Sequence, residues 1–180
     1  ISPGIDLRPL IKSKPSLKKK KIISEVEFAS RYTNAFIIAV TGTNGKTTTS
    51  KLIYHILKNS GFNVGLAGNI GYSFSESIVE NQFDYYVIEV SSFQLDHIIN
   101  FRPDISIITN ISPDHLDRYD NELENYAEAK FNIIRNQKSS DFFIYNGDCA
   151  ITTNKINSVN SKASAISLHS SKNKNQQNNY

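Results

Sequence analysis

Short apolar runs alternating with helical stretches set the pattern of this chain. Phe36 to Val40 is a strand-like run that ends against a glycine-containing loop, and behind it Leu52, Ile53, Ile56 and Leu57 fall on one face of a helix before Gly61 ends it. A short strand near Asn63 to Leu66 leads into the loop Gly68-Asn69-Ile70-Gly71. Tyr85 to Val90 is a mostly apolar strand, with Ser91 and Ser92 placed to start a helix. A further core strand spans Ile105 to Thr109, and a polar loop covers Asn110 to Asp120. A helix from about Glu122 to Gln137 then precedes a strand at Phe142 to Tyr145. Strands alternating with helices predict an α/β fold with a mainly parallel sheet, flanked by helices and joined by right-handed crossovers.

The two ends read differently. Residues 1 to about 34 are lysine-rich and punctuated by Pro and Gly, with Ile22 to Phe28 as their one compact apolar patch. They are too short for a domain, and a central unit is expected to follow them over 36–169. Residues 170–180 have no periodic apolar face and are expected to be disordered in isolation. The chain holds no methionine and opens on Ile-Ser-Pro-Gly-Ile, which reads as a piece of a longer protein.

Composition narrows the classes. An apolar share of 39% suffices for a core, and a net charge of +3 is too modest to argue for nucleic acid. The run Lys18 to Lys21 has no interleaved aromatic residues and reads as a solvated connector. A single cysteine, Cys149, cannot form an internal disulfide and suits a reducing, cytoplasmic setting. No apolar stretch approaches the roughly 20 residues of a membrane span, and no signal-peptide pattern opens the chain.

The loop after the first strand carries the chemistry. Val-Thr-Gly-Thr-Asn-Gly-Lys-Thr, Val40 to Thr47, lies between a strand and a helix, as a phosphate-binding loop requires. It departs from the general pattern G-x-x-x-x-G-K-[ST], because Val40 occupies the first glycine position and Gly42 compensates two residues later. Gly42 and Gly45 allow a tight turn that aims backbone N–H groups at an anion, and the following helix adds its positive end. Gly42, Thr43, Asn44, Gly45, Lys46, Thr47 and Thr48 are thus the expected phosphate contacts. Lys46 can reach the β- and γ-phosphates of a nucleotide, and the Thr47 hydroxyl can ligate Mg²⁺.

In an open parallel sheet, residues that follow the carboxyl ends of the strands share one site. Asn69, Glu89 with Ser91, and Asn110 through His115 all fall there. Glu89 ends a strand whose other residues are apolar, so it needs a partner: a Mg²⁺ shared with Thr47, or a local Arg or Lys. His115 could bind a second metal, position a substrate, or serve the structure alone. Lys130 falls near the centre of the apolar arc formed by Leu123, Tyr126, Ala127, Phe131 and Ile134. There it must snorkel, meet an acid, or be modified; a desolvated, neutral amine can add carbon dioxide to become a carbamate.

Six segments in this order resemble the Mur ligases and, for the loop, the related folylpolyglutamate synthetases. They are Ser2 to Ile5, Val40 to Thr47, Gly68 to Gly71, Glu89 to Leu95, Asn110 to Tyr119 and Tyr126 to Lys130. Ser-Ser-Phe-Gln-Leu and the early Ser-Pro-Gly-Ile are most similar to the D-glutamate-adding branch. The resemblance implies ATP and two Mg²⁺ ions, with Thr47 and Glu89 holding the first and His115 with carbamylated Lys130 the second. It makes Lys46, Glu89, His115 and Lys130 the catalytic set. Asn69, Ser91, Gln94 and His115 would line a muramoyl substrate, with Ser2, Pro3 and Gly4 near its uridine diphosphate portion. The implied reaction is ATP-dependent ligation of D-glutamate to UDP-N-acetylmuramoyl-L-alanine through an acyl phosphate, by a cytoplasmic monomer with no nucleic-acid or membrane partner. Residues 1–35 would then end a UDP-binding domain, with an incomplete ATP-binding domain following.

Overall fold

A computed structural model of the chain describes residues 1, 2 and 5–170. The expected polar tail over 170–180 therefore lies outside the described residues apart from Ser170, as do Pro3 and Gly4. Among the described residues, six strands form one parallel sheet: β1 Phe36–Thr41, β2 Val64–Gly68, β3 Tyr85–Glu89, β4 Ile105–Ile108, β5 Phe142–Asn146 and β6 Ser164–Leu168, in the order β2-β3-β1-β4-β5-β6. The α/β class expected from the alternating pattern is what forms. β1 lies between β3 and β4 and is buried at every position after Phe36, which is why it reads as an unbroken apolar run.

The helices are α1 Leu7–Ser13, α2 Glu25–Ala29, α3 Lys46–Asn59, α4 Phe74–Glu80, α5 Ser92–Leu95, α6 Leu123–Phe131 and α7 Ala150–Ser158. Local polar chemistry starts several of them: the side chains of Asp6, Ser24, Ser73 and Ser91 each accept a backbone N–H from the first turn of α1, α2, α4 and α5. No helix among the described residues is long and apolar enough to cross a membrane.

Two departures from the expected pattern have simple causes. The stretch expected as one helix to Gln137 is α6 to Phe131 followed by a 3₁₀ turn, Asn132–Ile134, which tightens the end so that Ile133 and Ile134 bury. On α3, Ile53 and Leu57 pack against Ile38, Val64 and Val87, whereas Leu52 and Ile56 remain 57% and 54% exposed. A stripe at i and i+4 meets the sheet, and the adjacent stripe points past it.

The larger core lies on the other face, where Phe74, Tyr86, Phe101, Tyr126, Phe131 and Phe143 bury together. Val26 and Ala29 of α2 belong to that core, so this part of the lysine-rich segment packs against the sheet. Glu27 anchors it. Its fully buried carboxylate accepts the N–H groups of Ile99, Asn100 and Phe101 at 2.9, 2.8 and 2.7 Å and pairs with Arg31 at 2.8 Å. Burial alone would push this carboxyl up, but hydrogen bonds from Ile99, Arg31, Phe101 and Asn100 hold it below its usual value.

Removing the carboxylate would strand three inward N–H groups. Glu27→Ala is expected to lower stability by about 3 kcal/mol, read from the urea midpoint. A depressed carboxyl pKa contributes stability above the unfolded value of 4.5 and loses it as pH falls through the folded value, so the variant should also lack this share of the wild type's acid sensitivity.

Candidate active site

The sheet register assembles the site. Val40 pairs with Glu89 across β1 and β3, and Glu89 pairs with Gly68 across β3 and β2. Three strands therefore end level, and the loops they feed emerge side by side. The turn after β1 needs glycine at two points. Gly42 has φ 146°, and a Cβ there would lie 1.9 Å from Thr109 Oγ1; Gly45, at φ 82°, makes the left-handed step into α3.

The loop after β4 braces this turn. Asn110 accepts the Thr43 N–H through its carbonyl at 2.9 Å and the Asn44 N–H through Oδ1 at 3.1 Å, and returns a side-chain N–H to the Asn44 carbonyl at 2.9 Å. Thr43 Oγ1 accepts from Ser112 N at 3.0 Å. Lys46 Nζ folds back onto the loop, donating to the carbonyls of Gly42 and Thr43 at 2.9 and 2.7 Å. Thr48 stands exposed in the first turn of α3.

Glu89 sits at the foot of the loop. Its side chain is buried, and its two oxygens accept from the Thr47 hydroxyl at 2.7 Å and from Asn69 Nδ2 at 3.0 Å. Both donors are neutral, and among the described residues no Lys, Arg or His nitrogen comes within 4 Å of it, so the local ion pair weighed as an alternative does not form. A buried carboxylate beside a hydroxyl, with no protein cation, suits an oxygen-ligated divalent ion. No trio of His, Cys, Asp and Glu clusters as a metal site among the described residues. Thr47 and Glu89 would therefore leave most of such an ion's coordination to phosphate oxygens and water.

Lys130 does not snorkel. The side chain is buried, 1% exposed, and reaches inward to donate to the Gly42 carbonyl at 2.8 Å, with its ammonium 4.4 Å from the centre of the Tyr126 ring. Burial, followed by the Lys46 ammonium nearby, lowers its pKa to about 7, and the carboxylates of Asp114 and Asp96 only partly offset this. Burial thus favours the neutral amine, in keeping with a group open to modification.

A cavity of about 300 Å³ collects Lys46, Asn69, Ser91, His115 and Lys130. His115 is an exposed wall residue, 58% accessible at its side chain, with its ring 5.6 Å from that of Phe93. Gln94 stands behind rather than in this cavity. It closes a capping box with Ser91, accepting Ser91 N–H at 3.0 Å and the Ser91 hydroxyl at 3.2 Å, and so fixes the serine that does line it. Gln94 and Asn69 also face a neighbouring cavity of about 640 Å³, whose far side includes Ser2. Ser92, Phe93, Asp114, Arg118 and Tyr126 complete the first cavity's lining. They lie inside the segments that carry the family resemblance, but only their side-chain directions reveal a place in the wall.

A strand feeding a braced phosphate loop and helix, with a carboxylate from the next strand at the loop's foot, defines a nucleotide-handling α/β domain of P-loop type. The chain belongs to the Mur ligase family: residues 40–180 match that family's middle domain. It is 58% identical over 135 residues to a UDP-N-acetylmuramoylalanine--D-glutamate ligase of Bacteroides fragilis, covering 75% of this chain and 30% of that protein. A Bacteroides thetaiotaomicron protein of the same name is 51% identical over 155 residues, 86% of this chain and 35% of that one. The chain thus spans about a third of the length of the curated relatives it matches. Among solved structures, MurF ligase from Thermotoga maritima in complex with ADP superposes with a TM-score of 0.64 at 21% identity, over 81% of this chain and 36% of that one. E. coli FolC in complex with DHPP and ADP gives 0.55 at 18% identity, over 92% and 52%. At these identities the likeness is one of fold.

The buried lysine has a measurable signature. Between its folded pKa of about 7 and the usual 10.5, the unfolded chain binds more protons, so stability rises with pH, by up to about 1.4 kcal/mol per unit. Lys130→Met should flatten that rise, read from urea midpoints at pH 6, 7.5 and 9.

Proposed function

We propose that this chain is the ATP-handling domain of a ligase that joins D-glutamate to UDP-N-acetylmuramoyl-L-alanine in peptidoglycan precursor synthesis. The observation that carries the proposal is the single cavity in which the loop lysine, Asn69, Ser91, His115 and the buried Lys130 converge beside Glu89. The names of the relatives at 51–58% identity point the same way. Residues 1–35 would close a UDP-binding domain, and 36–169 would form the central ATP-binding one. The enzyme would work in the cytoplasm as a monomer, without nucleic-acid or membrane partners.

The residues divide the task. Backbone N–H groups of the loop and the start of α3 cradle the phosphates of ATP, while Lys46 turns from the carbonyls of Gly42 and Thr43 onto the β- and γ-phosphates. Asn69, Ser91 and His115 orient the muramoyl substrate so that its carboxylate meets the γ-phosphoryl group in line, with Gln94 locking Ser91 and Ser2 to Gly4 near the uridine diphosphate portion. Thr47 and Glu89 would hold one Mg²⁺, and His115 with carbamylated Lys130 a second; when bound, the ions neutralise charge on the transferring group. Transfer yields an acyl phosphate, the amine of D-glutamate attacks its carbonyl carbon, phosphate leaves, and an amide forms.

The other members of the fold set the competing reading, since MurF and FolC share the architecture. ADP release by the full-length protein that carries this chain separates them, with Mg²⁺, ATP and UDP-N-acetylmuramoyl-L-alanine as fixed reactants. Turnover is expected with D-glutamate and not with L-glutamate, L-alanine or meso-diaminopimelate. Lys46→Ala and Lys130→Ala should each lower kcat by about 10³-fold. Turnover with another amino acid alone would assign a sister ligase, and none with any would leave a non-catalytic nucleotide-binding module.

A further inference from the structure

The loop after β4 passes through three residues with positive φ that are not glycine: His115 at 49°, Asp120 at 55° and Asn121 at 61°. Asn, Asp and His enter this region more readily than other side chains, and where the loop then lies is set by its tertiary contacts. Arg118 supplies such contacts on two sides. Its guanidinium lies 4.6 Å from the centre of the Phe93 ring, which in turn faces His115 at 5.6 Å and stacks with Tyr119 at 5.8 Å. From its other edge, Nη2 donates to the Ile5 carbonyl at 3.4 Å, and Nε stands 3.9 Å from the Asp6 carboxylate. Arg8 completes the crossing: it grips Asp6 through three hydrogen bonds of 2.8, 3.0 and 3.1 Å and donates to the Asp117 carbonyl at 3.3 Å.

We infer that Arg118 is a positioning residue for His115, and that Ile5 and Asp6 form a latch through which the segment before α1 sets this wall of the cavity. The inference rests on the ligase reading for its catalytic meaning. A lone pair of surface charges at 3.9 Å would hold little. Here one planar fork stacks on an aromatic ring and donates along its edge at the same time, with its side chain only 23% exposed, a flat geometry that a lysine's compact ammonium does not reproduce. The phosphate loop is braced by the opening of the same loop, at Asn110 and Ser112 ahead of the latched stretch, so the latch should act on the substrate wall and leave nucleotide binding alone.

The test is amide hydrogen exchange in the full-length protein, reading residues 115–121 with the phosphate loop as internal reference. Arg118→Met should speed exchange of 115–121 by about tenfold and Asp6→Asn by about threefold, while the double variant should exchange no faster than Arg118→Met alone. In turnover, Arg118→Met should raise KM for the muramoyl substrate about tenfold with KM for ATP within about twofold, and Arg118→Lys should fall between it and wild type. Unchanged exchange in Arg118→Met and Asp6→Asn would overturn the inference. So would faster exchange spread equally over the phosphate loop, which would mark a general structural role. Exchange needs no turnover, so a protein that releases no ADP yet shows the Arg118-dependent loop would reject the ligase reading alone and leave the latch standing.

Discussion

An ammonium buried against the carbonyl of Gly42 ties this domain together. Lys130 comes from α6 and Gly42 from the turn after β1, and the bond between them joins a helix to the phosphate loop across the top of the sheet. Burying a charge is costly unless partners repay the lost water, and here the repayment is partial: one carbonyl, one aromatic face and distant carboxylates. The proton is therefore loosely held. Tyr126 adds a second tie, since its ring covers Lys130 and its hydroxyl lies 3.4 Å from Thr43 Oγ1. The same few side chains thus settle both the shape of the loop and the protonation of the lysine behind it.

Much of this was legible in the sequence, and the reason is burial. β1, β3 and β4 lie in the interior of the sheet, so each appears as an apolar run with bounds close to the observed ones. Glu89 stood out because a carboxylate ending such a run needs an explanation, and its neighbours Thr47 and Asn69 follow from which strands end level. What stayed hidden lacks that signature. β6 is exposed along its whole length, so no apolar run betrays it, and α4 is only seven residues long.

The orientation of Lys130 was open for a different reason. A helical projection places it in the apolar arc but cannot say whether the side chain bends outward to water or reaches inward to an acceptor. That choice depends on a carbonyl 88 positions earlier in the chain. Arg118 was equally silent, and Asn110 was placed at the site without its contacts, because their partners, Ile5 with Phe93 and the backbone of Thr43 and Asn44, come from other loops. Local pattern reads elements well and reads the contacts between their ends poorly.

The strand order also constrains how the molecule comes into being. β1 is made early but pairs only with β3 and β4, both of which follow it along the chain. As the polypeptide leaves the ribosome, β1 has no partner strand until Glu89 of β3 has emerged and is paired along one edge only until Ile108 of β4 follows, after which Asn110 and Ser112 can close over the phosphate turn. Parallel pairing over such separations is slow, because long loops must close before any contact rewards them. The segment that handles the nucleotide is thus also the one that spends longest as sticky, unsheltered chain, and during synthesis it is where a chaperone would have most to grip.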